Sequence, residues 1–367
     1  MKTVMRRSGD CRPALATWVL AAALASGCFQ PAGATASGHD LAPRAAGPDP
    51  AASTEVSGPV LGYVFDSSVG GIKQILGVPG AALLAGPVPL ADSLAGAVSV
   101  WQDFLLAVSD KDRQVRLLDF SSGAERWRPI TGLAAGPDEM VLSPGGRSAA
   151  LLYRGASKVV VVTDLPSAPQ VAREVGMTRS PIGLAVNNEA TMLAISYDTS
   201  VLLVGRSGES RWLLTLGPPS ALAFSNGGND LLMADPANHA VYWIRDVGGA
   251  SAVVRLAGER EGITEPVGVA FSPDDRRAIV ADAGSQTIVA IDLAGGAINR
   301  AACRVKPIGL YPLGSGVYRF TAPPRDEPLW LYEVRAGRTR VFFVPPELKA
   351  ASPAAPPLVN NDERSER

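Results

Sequence analysis

The chain of 367 residues contains only two histidines and three cysteines. That scarcity of the commonest zinc ligands argues against a His- or Cys-rich metal cluster. Charged residues make up 19% of the chain, where an ordinary soluble domain has about a quarter. The net charge is −1 and no long basic run occurs, so the electrostatic footprint of a nucleic-acid binder is missing. No stretch beyond residue 58 carries a convincing 3.6-residue amphipathic period, which argues against a helical fold. Apolar residues are plentiful, at 47%, with 38 glycines and 30 prolines. The glycine and proline content is high but stays below the roughly 25–30% that marks low-complexity disorder. A chain of this length suggests about two domains, although all-β folds often run longer as one.

The N-terminus reads as an address. Lys2, Arg6, Arg7 and Arg12 stand against one acid, Asp10, and an uncharged stretch follows from Ala14 to Ala25. That stretch is shorter than the roughly 20 residues a membrane-spanning helix needs. A basic segment, a short apolar segment and small residues after it predict a secretory signal peptide over residues 1–27. Leu24-Ala25-Ser26-Gly27-Cys28 resembles a bacterial lipobox, whose cysteine is diacylated and becomes the new N-terminus. It departs from that pattern in having Ala25 three residues before Cys28, where leucine is usual. Ordinary cleavage near Ala32-Gly33-Ala34 or Ala34-Thr35-Ala36 is the competing reading. Cys11 leaves with the signal and Cys28 is either lipidated or removed. Cys303 alone remains, so an intramolecular disulfide is excluded by either route. Residues 28–58 read as a flexible Ala/Gly/Pro-rich tether and residues 347–367 as a disordered tail.

Between them an internal repeat organises the chain. Gly-Leu-Ala-Val at 183–186 returns as Ala-Leu-Ala-Phe at 221–224 and Gly-Val-Ala-Phe at 268–271. Looser copies are Glu-Met-Val-Leu at 139–142 and Pro-Ile-Gly-Leu at 307–310. With Val100, Leu142, Val186, Phe224, Phe271 and Pro312 taken as equivalent, the spacings are 42, 44, 38, 47 and 41 residues. Each unit goes on through short β-rich apolar runs divided by Gly, Pro, Asn and Asp, as in Leu231–Asp235 and Ala240–Ile244. Four strands per unit of about 40 residues, in tandem, predict an all-β chain folded as a β-propeller over residues 59–346. The units fall near 92–133, 134–177, 178–217, 218–265, 266–305 and 306–346. Runs at 62–66, 72–76 and 81–84 supply an irregular further blade, giving seven blades, with six as the alternative.

Ala234-Asp235-Pro236-Ala237-Asn238-His239 and Ala281-Asp282-Ala283-Gly284-Ser285-Gln286, each after a Gly-Val-Ala-Phe-type strand, resemble the units of bacterial NHL and YVTN-type β-propeller repeat proteins. The match is clear over Pro219–Arg304 and weaker elsewhere. The aspartates read as structural, capping the turn between the second and third strands by accepting backbone N–H bonds. Asp110, Asp198, Asp235 and Asp282 take comparable positions in the pattern.

No catalytic or cofactor-binding set emerges. His239, the lone histidine of the repeat region, lies in a blade turn and cannot by itself furnish a zinc site. The glycine pairs at 70–71, 145–146, 227–228, 248–249 and 295–296 lack the Lys-Ser/Thr of a phosphate loop and read as turns. Cys303 has no evident base beside it and reads as a small apolar residue. Trp101, Trp127, Trp212, Trp243 and Trp330 read as blade packing. Glu139, Asn187 and Asp138, placed near first-strand starts, are the candidates for a divalent-metal site of the kind found in gluconolactonase/regucalcin-like propellers, but the set is incomplete.

Two readings stay open. The first is a non-catalytic exported binding or scaffolding propeller, a monomeric ring held at the cell envelope by lipid on Cys28. Its partner is unidentified, nucleic acid is excluded and no cofactor is needed. The second is a metal-dependent lactonase-like hydrolase. The address is checked by intact-mass analysis of the protein from membranes, which should find an acylated N-terminus at Cys28. An unmodified N-terminus near Thr35 or Ser37 refutes lipidation.

Overall fold

The computed structural model describes residues 58–346 except 122–125, 215–216, 323–326 and 336–337. The signal segment, Cys28, nearly all of the tether and the tail lie outside the described residues. Those described belong to one compact unit. They form seven antiparallel sheets in chain order, six of four strands and the first of three. The only helix among them is a 3-10 turn at Glu259–Glu261. The chain is a seven-bladed β-propeller.

The inner strand of each blade, numbered 1 to 7 along the chain, is Val60–Asp66, Leu94–Val98, Glu139–Leu142, Gly183–Val186, Ala221–Phe224, Pro266–Phe271 and Tyr311–Gly314. The repeat therefore ends its inner strands at Val98 in blade 2 and Gly314 in blade 7. Each lies two residues from the anchors the spacing suggested, Val100 and Pro312. Apolar residues at those two positions made the register ambiguous, because nothing in the sequence fixes which one closes the strand.

The second strand is buried throughout in blades 2 to 5, Phe104–Ser109, Ala149–Tyr153, Leu193–Tyr197 and Leu231–Asp235. Side chains alternate between the two faces of a strand, so alternate residues serve different neighbours. Leu105 and Ala107 pack with Tyr63, Ile72 and Leu94 on the blade 1 side. Phe104, Leu106 and Val108 pack with Ala149, Leu151 and Val160 of blade 3. Every blade junction has such a core, seven in all among the described residues.

The ring closes by side-chain packing rather than by strand exchange. Leu61, Val64, Ile75 and Leu84 of blade 1 pack against Leu313, Val317, Leu329, Leu331, Phe342 and Val344 of blade 7. Arg340 adds a bond from Nη2 to the Pro79 carbonyl at 2.7 Å.

Two turns recur. Between inner and second strands, the side-chain oxygens of Ser143, Asn187, Ser225 and Ser272 accept from the backbone N–H five residues on, at 3.1, 2.9, 3.2 and 3.0 Å. Between second and third strands, Arg113, Ser157, His239 and Gln286 take positive φ as the last residue of a four-residue turn.

The aspartates divide at this second turn. Asp235 and Asp282 end their second strands and are fully buried. Asp110 and Asp198 lie one residue further on, in exposed turn. Ser109 and Tyr197 end the corresponding strands, so the four aspartates are not equivalent. Blade 4 turns in only two residues between Tyr197 and Ser200, which displaced the sequence register.

Asp235 accepts from Asn238 N at 3.2 Å and Asn238 Nδ2 at 2.9 Å. Asp282 reaches further, accepting from Thr264 N at 2.9 Å, Glu265 N at 2.6 Å and Ser285 Oγ at 2.8 Å. It thereby holds the segment leading into its own blade. Asp282→Ala leaves two backbone donors without their acceptor, a loss of about 2–4 kcal/mol at roughly 1–3 kcal/mol per unsatisfied buried group. Asp198→Ala, at an exposed position, should stay within about 0.5 kcal/mol. Urea unfolding of the two variants beside the parent measures both, and equal losses would contradict the distinction.

Candidate functional site

The seven inner strands line a channel through the ring with a cavity of about 860 Å³. Its wall is largely aliphatic, with Val98, Leu142, Leu184, Leu222, Val269 and Leu310 from six different blades. This follows from the repeat, because the Gly-Val-Ala-Phe-type phrase is itself the inner strand. The channel has two chemically different ends, one at the starts of the inner strands and one at the turns that follow them.

Trp101 lies across the turn end. Its Cδ1 stands 3.0 Å from where a Cβ on Gly146 of blade 3 would be. Its Cε3 stands 3.0 Å from where one on Gly314 of blade 7 would be. Both glycines also have positive φ, 69° and 91°, so a side chain is disfavoured there on two counts. Beside the indole, Gln102 Nε2 donates to the carbonyls of Leu61 at 3.1 Å and Leu313 at 3.0 Å. One amide thus ties blade 2 to blades 1 and 7. The indole Nε1 is buried with no hydrogen-bond partner among the described residues.

Arg319 marks the other end. It closes the second strand of blade 7, Val317–Arg319, and pairs in register with Tyr311 on the inner strand. Its guanidinium lies 4.2 Å from the Tyr311 ring centroid and donates to the Thr321 carbonyl. Among the described residues no carboxylate forms an ion pair with it. Burial pushes the guanidinium down to about 10, which leaves it protonated at neutral pH. Ile308 and Tyr311, 51% and 40% exposed, stand at the same end. Glu139 lines the channel from blade 3. Burial pushes its carboxyl above the usual range, partly offset by Arg154 at 3.5 Å.

The residues singled out in the sequence scatter around this channel. Asp138 accepts from Arg154 N at 2.6 Å at the start of the blade 3 inner strand, next to Glu139. Asn187 follows the end of the blade 4 inner strand, at the opposite end, where it accepts from Met192 N and donates to Thr191 Oγ1. The three were expected together near strand starts, and the structure does not bring them together. Asn187 stands one residue past its strand, so it crosses to the far end. Among the described residues no group of three or more His, Cys, Asp or Glu is placed to hold a metal ion.

His239 is exposed and its Nδ1 bonds the Thr264 carbonyl, tying the blade 5 turn to the blade 6 lead-in. Cys303 is 8% exposed, and burial pushes its thiol up to about 11. Trp127, Trp243 and Trp330 pack against junction cores. Trp101 does not serve that role, since it lies over the channel, and Trp212 is 47% exposed. Arg319 went unnoticed in the sequence. Its signal is a cation at the end of a short second strand, Val317–Arg319, where blades 2 to 6 end theirs on Ser109, Tyr153, Tyr197, Asp235 and Asp282.

No family model matches the chain, and neither does any curated protein. Solved structures do resemble it. A protein of unknown function from Desulfotomaculum acetoxidans superposes with a TM-score of 0.54 at 10% identity, over 78% of this chain and 99% of that one. An inactive H270A virginiamycin B lyase from Staphylococcus aureus, solved with quinupristin, gives 0.50 at 14% identity, over 71% and 88%. A chain of the mitotic checkpoint complex gives 0.51 at 12%, over 81% and 99%. At these identities the likeness is one of fold alone.

A half-buried cation with no carboxylate partner among the described residues is held at a cost, so Arg319→Met should not unfold the ring. Its thermal midpoint should equal or exceed that of the parent. A fall of more than about 5 °C, on the order of 1 kcal/mol or more for a domain this size, would show that Arg319 is needed for stability.

Proposed function

We propose that this chain is a non-catalytic propeller of the NHL/YVTN type that binds an apolar ligand in its central channel. The observation that carries the reading is the channel itself: an aliphatic tube of about 860 Å³, within the roughly 300–1,000 Å³ usual for small-molecule sites. Trp101 covers one end and the other carries half-exposed apolar side chains. The lipobox-like Leu24–Cys28 and the basic leader support an address at the bacterial envelope, as a periplasmic or outer-membrane-anchored lipoprotein. There the ring acts as a monomeric binding or scaffolding module. The placement of Glu139 and Asn187 at opposite ends of their inner strands supports the binding reading over a metal-dependent lactonase.

A titration with N-phenyl-1-naphthylamine, an uncharged dye that brightens in apolar surroundings, tests the reading. One saturable site per chain is expected, lost in Ala97→Trp and in Met140→Trp, both of which fill the channel from its wall. Circular dichroism and the thermal midpoint check that each variant is folded. Dye binding that survives both substitutions overturns the channel as the site. Lactone hydrolysis that depends on added calcium or zinc overturns the non-catalytic reading.

A further inference from the structure

We propose that the channel is selective for small amphipathic monocarboxylates, with the carboxylate on the Arg319 guanidinium and the apolar body along the inner strands. This rests on the channel being the binding site and names the chemistry it selects.

The argument starts from an imbalance. The wall is mainly apolar, yet a guanidinium without a carboxylate partner among the described residues is placed in it. Arg319 reaches the channel at the strand-start end, stacked on Tyr311 and bonded to one carbonyl, that of Thr321. A guanidinium offers five N–H donors in a planar fork that matches a carboxylate. Among the described residues that single carbonyl is its one acceptor, which leaves most of that capacity open. The Tyr311 ring, with its centroid 4.2 Å from the guanidinium carbon, restricts where that fork can sit before a ligand arrives. Low dielectric strengthens the pairing of such a cation with an incoming anion.

The rest of the channel limits what else the anion can be. Glu139, paired with Arg154 at 3.5 Å, also lines it, and as a carboxylate it opposes a ligand that brings several negative charges. Beyond Arg319 the wall offers Leu310, Val269, Leu222 and Leu184, which contribute no hydrogen-bonding side chain to a polar body. At the far end Trp101 lies across the opening. A single carboxylate with an aliphatic or aromatic body fits all three features. A sugar phosphate or a nucleotide does not, because its polar body would lose its water against an aliphatic wall.

The test uses a matched pair of fluorescent probes on the purified protein: 11-(dansylamino)undecanoic acid and its methyl ester. The acid is expected to bind at least tenfold more tightly than the ester. Arg319→Met should erase that advantage and leave the affinity for the ester unchanged. Arg319→Lys, which keeps the charge without the fork, should restore only part of it. The advantage should persist from pH 6 to 9 and disappear as the probe's own carboxyl is protonated. If the ester binds and the acid binds no better, or if Arg319→Met keeps the difference, the inference about Arg319 falls while the channel reading stands. If neither probe binds, both fall.

Discussion

The structure depends on one constraint: each sheet is buried on both faces between two neighbours. A two-sided sheet has no solvent face to carry charge, and its second strand becomes buried and mostly apolar, as in Phe104–Ser109 and Ala149–Tyr153. The low charge content of the chain follows from this. So does the closure of the ring. A strand exchanged between first and last blades would add a handful of backbone bonds, each worth about 1 kcal/mol net. The junction of blades 7 and 1 buries ten apolar side chains instead, at roughly 1.5–3 kcal/mol each when fully removed from water. Even half of that exceeds the hydrogen-bond term, so packing suffices to hold the ring shut, and blade 1 folds with three strands.

With both faces apolar, polar chemistry is pushed to the turns, where it joins the blades to one another. Asn188 Oδ1 accepts from Gly145 N at 2.7 Å in blade 3, and its Nδ2 donates to the Asn226 carbonyl at 2.8 Å in blade 5. Asn226 N donates in turn to Asp275 Oδ1 at 2.8 Å in blade 6. The same positions carry the αL residues Gly146, Ala190, Gly228 and Asp275 that reverse the chain. Turn and junction are therefore one feature: the turn that closes a hairpin also registers its neighbour, and at Asp275 a single residue does both.

The blades were legible because their signal is local and repeated. The inner-strand phrase, the mostly apolar second strand and the polar turns each recur within about 40 residues, which gave six units, and the strand runs at 62–84 supplied the irregular first blade. Register was less legible. Asp198 looked like Asp235 because both follow an apolar run, but the blade 4 turn is two residues shorter and Tyr197 takes the structural place. The channel was least legible of all. Trp101 resembled the other tryptophans in sequence. What sets it apart is its contact with Gly146 and Gly314, 45 and 213 positions away, and no local pattern encodes that. Glu139 and Asn187 failed as a pair for a related reason. Both flank inner strands, but a strand of four residues separates one end of the channel from the other.

Arg319 is the place where local rules and the fold disagree. Burying an ion unpaired costs several kcal/mol even after relaxation. Its stacking on Tyr311 returns about 0.5–2 kcal/mol, and its bond to a carbonyl about 1.5–3 kcal/mol as a charged donor. Those returns at best cancel the cost, and a methionine at the same position would fill the space without it. Lys73 in blade 1, a cation nearly removed from water, has Asp66 at 3.1 Å. Burial works against ionisation of Asp66, but hydrogen bonds from Ser68 and Lys73 outweigh it and hold its carboxyl below the usual range. The chain thus supplies a carboxylate where a buried cation serves the scaffold. At Arg319, facing the channel, the described residues supply none, and a charge left open in an otherwise consistent sequence is the expected mark of a site kept for binding.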